Sequence, residues 1–147
     1  MCAEKYILPV DTIFFIVGDN FFENNPVENI KLADLAKNKG AHIFSYMVEN
    51  PQEFGIAELD AENNVISIEE KPTKPKSKQA VVGIYIYDDS VMDKIKTLKP
   101  SERGEYEVTD LNNLYIQDGK CKNVTIDGWW IDAGTPDRII DLEEKLI

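Results

Sequence analysis

The chain has 147 residues, 43% of them hydrophobic, which suits one domain with a core of its own. Its net charge of −11 excludes a binder of the nucleic-acid backbone, which needs clustered Lys and Arg. No apolar run approaches the ~18 residues of a membrane span, and the N-terminus lacks the basic-then-apolar plan of a signal peptide. Cys2 and Cys121 share no metal or redox spacing, so a reducing, cytoplasmic setting without membrane attachment is expected.

Residues 12–17 (TIFFIV) form an uninterrupted apolar, β-rich run, predicted as a strand buried on both faces. Asp19 follows at once, where open α/β sheets hold their ligands. Pro26 is a plausible helix start. Val27, Ile30, Leu35 and Ala36 recur at helical spacing until Lys39-Gly40 marks the end. Residues 41–48 read as a second strand, parallel to the first through a right-handed crossover. Two short strands, 55–59 and 65–68, flank a polar turn and predict a hairpin, followed by Glu69-Glu70-Lys71-Pro72 and a lysine-rich loop. Residues 80–87 form another long strand, interrupted only by Gly83. Ser90 is a candidate N-cap of a helix ending before Lys99-Pro100. A further helix is predicted over 107–117, a strand over 122–126, and an amphipathic helix from Pro136.

Several of these positions could carry chemistry, and each has a plainer alternative. Asp132, between an aromatic segment and the Gly134-Thr135-Pro136 helix start, is placed like Asp19. The two carboxylates could share a divalent cation, or one closes a turn and the other caps a helix. Glu70 could accept hydrogen bonds from two sugar hydroxyls and Lys71 could meet a phosphate, or they form a solvated pair at a strand end. Gly55 and Gly83 lie inside strand-like segments, where glycine marks a bulge or a close approach. Arg103 could clamp a phosphate or pair with Glu105 or Glu107. His42 has no second ligand at metal spacing, and Lys74, Lys76 and Lys78 read as a solvated loop.

Taken in order, Gly18-Asp19-Asn20, 53–57 (EFGIA), 69–72 (EEKP), 82–85 (VGIY), 103–110 (RGEYEVTD) and 130–135 (WIDAGT) make a specific series. It resembles the sugar-1-phosphate nucleotidyltransferases over nearly the whole chain, closest to the branch that uses glucose 1-phosphate and dTTP. The resemblance implies an α/β, Rossmann-like fold with a mixed sheet flanked by helices. It also implies a reaction of a nucleoside triphosphate with a sugar 1-phosphate that yields a nucleotide-sugar and pyrophosphate. By resemblance Asp19 and Asp132 would hold Mg²⁺, and with Lys71 they form the catalytic set. Glu70 would bind sugar hydroxyls, Lys71 and Arg103 the sugar phosphate, and Gly55, Gly83 and Tyr85 would line the sugar pocket.

One departure stands out. Family members open with a strand and a Gly-rich, Arg-containing loop that cradles the triphosphate, and no such segment precedes Asp19 here. The expectation is a single domain over 1–147 equivalent to the C-terminal, sugar-phosphate-binding portion of such an enzyme, with the N-terminal part missing. Such a chain would be inactive alone, and would be a homo-oligomer or need a complementary N-terminal nucleotide-binding segment. A sugar-phosphate-binding module without turnover, or a structural partner that completes its sheet with another polypeptide, are the competing readings.

Overall fold

The computed structural model describes residues 6–8, 11–28, 30, 39–101 and 104–147. The sheet is built around β6 (Gln79–Tyr87), whose side chains alternate between two buried faces. Val82, Ile84 and Ile86 pack on one side with Phe44, Ile56, Ile126 and Trp130. Tyr85 and Tyr87 pack on the other with Ile43, Leu111 and Tyr115. Burial on both faces explains why this segment reads as a continuous apolar run.

Along one edge β6 pairs antiparallel with β3 (Ala41–Met47), which pairs parallel with β7 (Cys121–Thr125). Along its other edge β6 holds two strands end to end. β1 (Ile13–Ile16) lies opposite Ile84 to Tyr87, and β4 (Gly55–Leu59) lies opposite Gln79 and Ala80. Residues 81–83 of β6 are left between them, and a crevice opens there. β4 returns through the expected hairpin to β5 (Val65–Glu70). The strand order is β5-β4-β6-β3-β7 with β1 beside β6, a mixed sheet as the fold class required. A second, two-stranded sheet pairs β2 (Asn20–Phe22) with β8 (Trp130–Asp132). Helices α1 (Val91–Thr97) and α2 (Val108–Gln117) contribute Val91, Leu111 and Tyr115 to the tyrosine face, and α3 (Pro136–Leu146) follows β8.

Three expectations need correction. Residues 12–17 were expected to be buried on both faces, yet Phe14 and Phe15 are 43% and 44% exposed and Ile16 56%. The apolar run makes a strand, but β1 is paired only to β6 among the described residues. Strands β1 and β3 do run parallel, since both are antiparallel to β6, but β6 lies between them. The helix expected from Pro26 does not begin there. Residues 26–28 form a turn closed by Glu28 N–H donating to Asn25 O, and 31–38 fall outside the described residues. Ser90 precedes α1 without capping it through its side chain. Its hydroxyl donates to Asp88 Oδ1, which also accepts the Ser90 N–H, so Asp88 organises the turn instead.

His42 is half-buried on β3 beside Lys122 of β7. Burial, and then the Lys122 charge, hold its pKa below the ordinary histidine value. The unfolded chain therefore binds a proton on His42 more readily than the folded one, and stability must fall as pH drops below about 6.5. His42→Gln is expected to flatten this part of the stability profile. Urea unfolding at a series of pH values from neutral down to 5 measures it, and parallel profiles for both proteins would refute the assignment.

Candidate active site

The crevice opposite residues 81–83 is a cleft of about 690 Å³, within the ~300–1,000 Å³ usual for small-molecule sites. It collects Asp19, Gly55, Glu70, Lys71, Gly83, Tyr85 and Asp132, which lie on five different stretches of chain. Arg103 lies outside the described residues.

The turn after β1 and the short β8 strand bring the two aspartates together. In the β2–β8 pair Asn20 faces Asp132, and the Ala133 N–H donates to the Asp19 carbonyl at 2.8 Å. A Cβ placed on Gly134 would sit 3.0 Å from Asp132 Oδ1 and 3.6 Å from Asp19 Oδ2. Both carboxylates thus approach one point, which a side chain at position 134 would fill. Asp132 Oδ1 accepts the Gly134 N–H, closing an Asx turn, while Thr135 holds the N-cap position of α3 without a side-chain bond. Asp132 therefore closes a turn rather than capping the helix, and its Oδ1 still faces the point shared with Asp19.

Asn20 sets the geometry beneath the pair. Its Nδ2 donates to Asp19 Oδ1 at 2.8 Å, and its Oδ1 accepts from Trp130 Nε1 at 2.7 Å and from the Gly83 N–H at 3.3 Å. The amide lies directly over Gly83, where a Cβ would meet Asn20 Nδ2 at 2.5 Å and Val17 Cβ at 2.9 Å. Gly83 is thus a close-approach glycine.

On the opposite wall β4 and β5 place Gly55 across from Glu70, whose Oε2 would lie 3.0 Å from a Cβ at position 55. Lys71 leaves β5 with φ +44°, a left-handed conformation that costs a non-glycine residue on the order of 1–2 kcal/mol. Its N–H donates to the Phe54 carbonyl at 3.0 Å, fixing the bend that puts Lys71 at the cleft. Tyr85 is buried against Phe15 and Tyr87. Burial first, and then the Glu70 charge, push its phenol up to about 12, so it stays a neutral hydroxyl near pH 7.

Glu53, Phe54, Trp130 and Arg138 also line the cleft. Arg138 Nη1 donates to Asp132 Oδ2 at 2.7 Å, Nη2 donates to Glu53 Oε2 at 2.8 Å, and the guanidinium lies 4.6 Å from the Phe54 ring centroid. Arg138 belongs to none of the six motifs, and its only sequence signal is its place in the first turn of a helix that starts at the site. In the described lining Asp19, Glu53, Glu70 and Asp132 outnumber Lys71 and Arg138. A phosphorylated ligand would meet net negative charge unless a cation came with it.

The donors suit a hard cation. Two carboxylates converge on a point kept clear by glycine, and no group of three or more His, Cys, Asp or Glu side chains at metal spacing occurs among the described residues. Two carboxylates with the remaining positions left to ligand oxygens and water is the arrangement Mg²⁺ favours.

This α/β crevice has one acid just past β1, a second at the end of β8 and a Glu-Lys pair at the end of β5. The profile described as nucleotidyl transferase matches residues 2–147, and the chain belongs to that family. It is 40% identical over 132 residues to a glucose-1-phosphate thymidylyltransferase of Neisseria meningitidis, a match covering 88% of this chain and 46% of that protein. It is 34% identical over 147 residues to a low-salt glycan biosynthesis nucleotidyltransferase of Haloferax volcanii, covering 99% of this chain and 41% of that one. A crystal structure of a candidate glucose-1-phosphate thymidylyltransferase from Bacillus anthracis, in complex with sucrose, superimposes with a TM-score of 0.86 at 37% identity. That match covers 98% of this chain and 57% of the other. The chain spans about half the length of the curated relatives it matches. Among the described residues no helix is long and apolar enough to cross a membrane.

Proposed function

We propose that this chain supplies the sugar-phosphate half of a nucleotidyltransferase site that joins glucose 1-phosphate to a nucleoside monophosphate unit from dTTP, with release of pyrophosphate. The observation that carries the reading is the convergence of Asp19, Gly55, Glu70, Lys71, Gly83, Tyr85 and Asp132 on one cleft. Glucose 1-phosphate and dTTP are taken from the resemblance and from the names of the relatives.

The chain's own residues bind and orient. Glu70 accepts hydrogen bonds from sugar hydroxyls, with Gly55 leaving room for the ring beside it. The neutral Tyr85 phenol stands on the floor, able to donate a hydrogen bond. Lys71, held at the rim by its left-handed backbone, neutralises the sugar phosphate as that group attacks the α-phosphorus of the triphosphate. Arg103, carried over from the family pattern, is the second candidate for that phosphate. Asp19 and Asp132 would hold Mg²⁺, which when bound supplies Lewis-acid polarisation and charge neutralisation at the phosphoryl groups. Positioning and preorganised charge then account for most of the catalysis asked of this wall of the site.

The triphosphate needs a cradle of its own. We place it on a segment that pairs with the edge of β1 left without a strand partner among the described residues, either a complementary nucleotide-binding polypeptide or a second copy, so the isolated chain is expected to bind without turning over.

Calorimetry with dTDP-glucose tests the reading. Binding is expected to tighten with Mg²⁺, and Asp132→Asn to remove that gain. Glu70→Ala should weaken binding with or without the metal, each lost hydrogen bond to the charged acceptor contributing about 1.5–3 kcal/mol. Equal affinity with and without Mg²⁺ would remove the metal from the proposal, and no binding of any sugar phosphate or nucleotide-sugar would leave only a structural role.

A further inference from the structure

We infer that Arg138 is a built-in counter-cation of the Asp19–Asp132 site, seated on Asp132 when no divalent cation is bound and displaced from it when one arrives. The inference rests on reading that carboxylate pair as a cation site. Arg138 is the third residue of α3, in the first helical turn, where the helix dipole disfavours a positive charge. It is nevertheless fixed there by Asp132, by Glu53 and by the face of Phe54. The Arg138 and Asp132 side chains are only 22% and 28% exposed, so solvent and salt screen this pair less than a surface pair.

The hydrogen-bond pattern makes the competition specific. Asp132 Oδ1 takes the Gly134 N–H, Asp132 Oδ2 takes Arg138, and Asp19 Oδ1 takes the Asn20 amide. Asp19 Oδ2 has no hydrogen-bond partner among the described residues, and it faces the same point over Gly134 as Asp132 Oδ1. A divalent ion between the carboxylates would stand next to a guanidinium of like charge on the same aspartate, in a shielded cleft where repulsion is strong. The ion on Oδ1 and Arg138 on Oδ2 therefore oppose one another through their charges and compete for Asp132. Glu53 holds the other guanidinium nitrogen, so displacement moves Arg138 off Asp132 without expelling it from the cleft. There its fork geometry is free to meet a phosphoryl oxygen that enters with the metal. Arg138 thereby offsets part of the negative charge on Asp132, and an ion arriving alone binds weakly.

Mn²⁺ binding to the full chain without nucleotide, followed by electron paramagnetic resonance of the free ion, tests this. The unaltered chain is expected to bind weakly and Arg138→Gln about tenfold more tightly, the scale of losing one charge-assisted contact at a shielded site. Arg138→Lys should fall between them, because an ammonium keeps the charge but cannot bridge both acids with a fork. Adding Asp132→Asn to Arg138→Gln should abolish the gain. Equal Mn²⁺ affinity in the unaltered chain and Arg138→Gln overturns the inference, as does weaker binding by the variant, which would make Arg138 an orienter of Asp132. Mn²⁺ binding that survives Asp19→Asn and Asp132→Asn overturns the cation site itself. If Arg138→Gln does not give a normal melting curve, Arg138→Lys decides, and unchanged affinity in that variant counts against the inference.

Discussion

Gly83→Ala is expected to cost ~1–3 kcal/mol of stability, the range for forcing extra carbon into a packed position, and to abolish the Mg²⁺ dependence of ligand binding. The new methyl group would meet two neighbours at impossible range, Asn20 Nδ2 at 2.5 Å and Val17 Cβ at 2.9 Å. Val17 cannot give way easily, because its N–H is bonded to the Gly83 carbonyl at 2.8 Å. Asn20 must then move, and with it go the bonds to Asp19, to Trp130 Nε1 and to the Gly83 N–H. Asp19 loses the donor that orients its carboxylate, so one methyl group inside a strand is felt at the proposed cation site. Urea unfolding and calorimetry with and without Mg²⁺ give the two numbers. Asn20→Ala should remove most of the clash, so the double variant should lose less than the sum of the singles. A Gly83→Ala protein with unchanged stability and binding would mean that the Asn20 amide swings aside freely and holds nothing in place.

The same residues show how far the sequence could be read. The hairpin of β4 and β5, the strand at β6 and the helices at 108–117 and 136–146 follow from local signals: alternation, a polar turn, helical spacing and a Gly-Thr-Pro start. The two interior glycines were legible as close approaches, but not what approaches them. Glu70 over Gly55 and Asn20 over Gly83 are contacts across 15 and 63 residues of chain, and no local pattern reports them. Arg138 was missed for the same reason. Its partners Asp132 and Glu53 lie on separate elements, and a first-turn arginine on an amphipathic helix looks like any solvated charge. The apolar run of β1 reports what a strand can be packed against rather than how much of it is covered, and Phe14, Phe15 and Ile16 remain partly exposed among the described residues. The paired aspartates, the Glu-Lys corner and Tyr85 were legible only through their order along the chain. Each is ambiguous alone, and the cleft is what joins them.

That open strand leads to the second large effect. At tens of micromolar the purified chain is expected to scatter light as a dimer or larger species, and Phe14→Lys with Ile16→Lys together should return it to the monomer mass. β1 gives one edge to β6 and leaves the other without a strand partner among the described residues. Free N–H and C=O groups on an apolar strand are a template for another chain. Phe14, Phe15 and Ile16 are 43%, 44% and 56% exposed, so covering them contributes roughly 1 kcal/mol apiece at the usual area coefficient. The backbone bonds of a new strand pair would add to that sum. Phe15 is left unaltered because its ring packs 5.9 Å from Tyr85 on the floor of the cleft. Phe14 and Ile16 point to the other face, so lysines there charge the edge without touching the site. The melting temperature of the double variant should match that of the unaltered chain measured at high dilution. Its affinity for dTDP-glucose should also be unchanged, which separates loss of association from loss of fold. Adding a polypeptide that carries a triphosphate-binding loop should compete with self-association in the unaltered chain and fail to bind the double variant. A chain that stays monomeric at high concentration, with β1 amides protected from hydrogen exchange, would show that the edge is already closed by the chain itself.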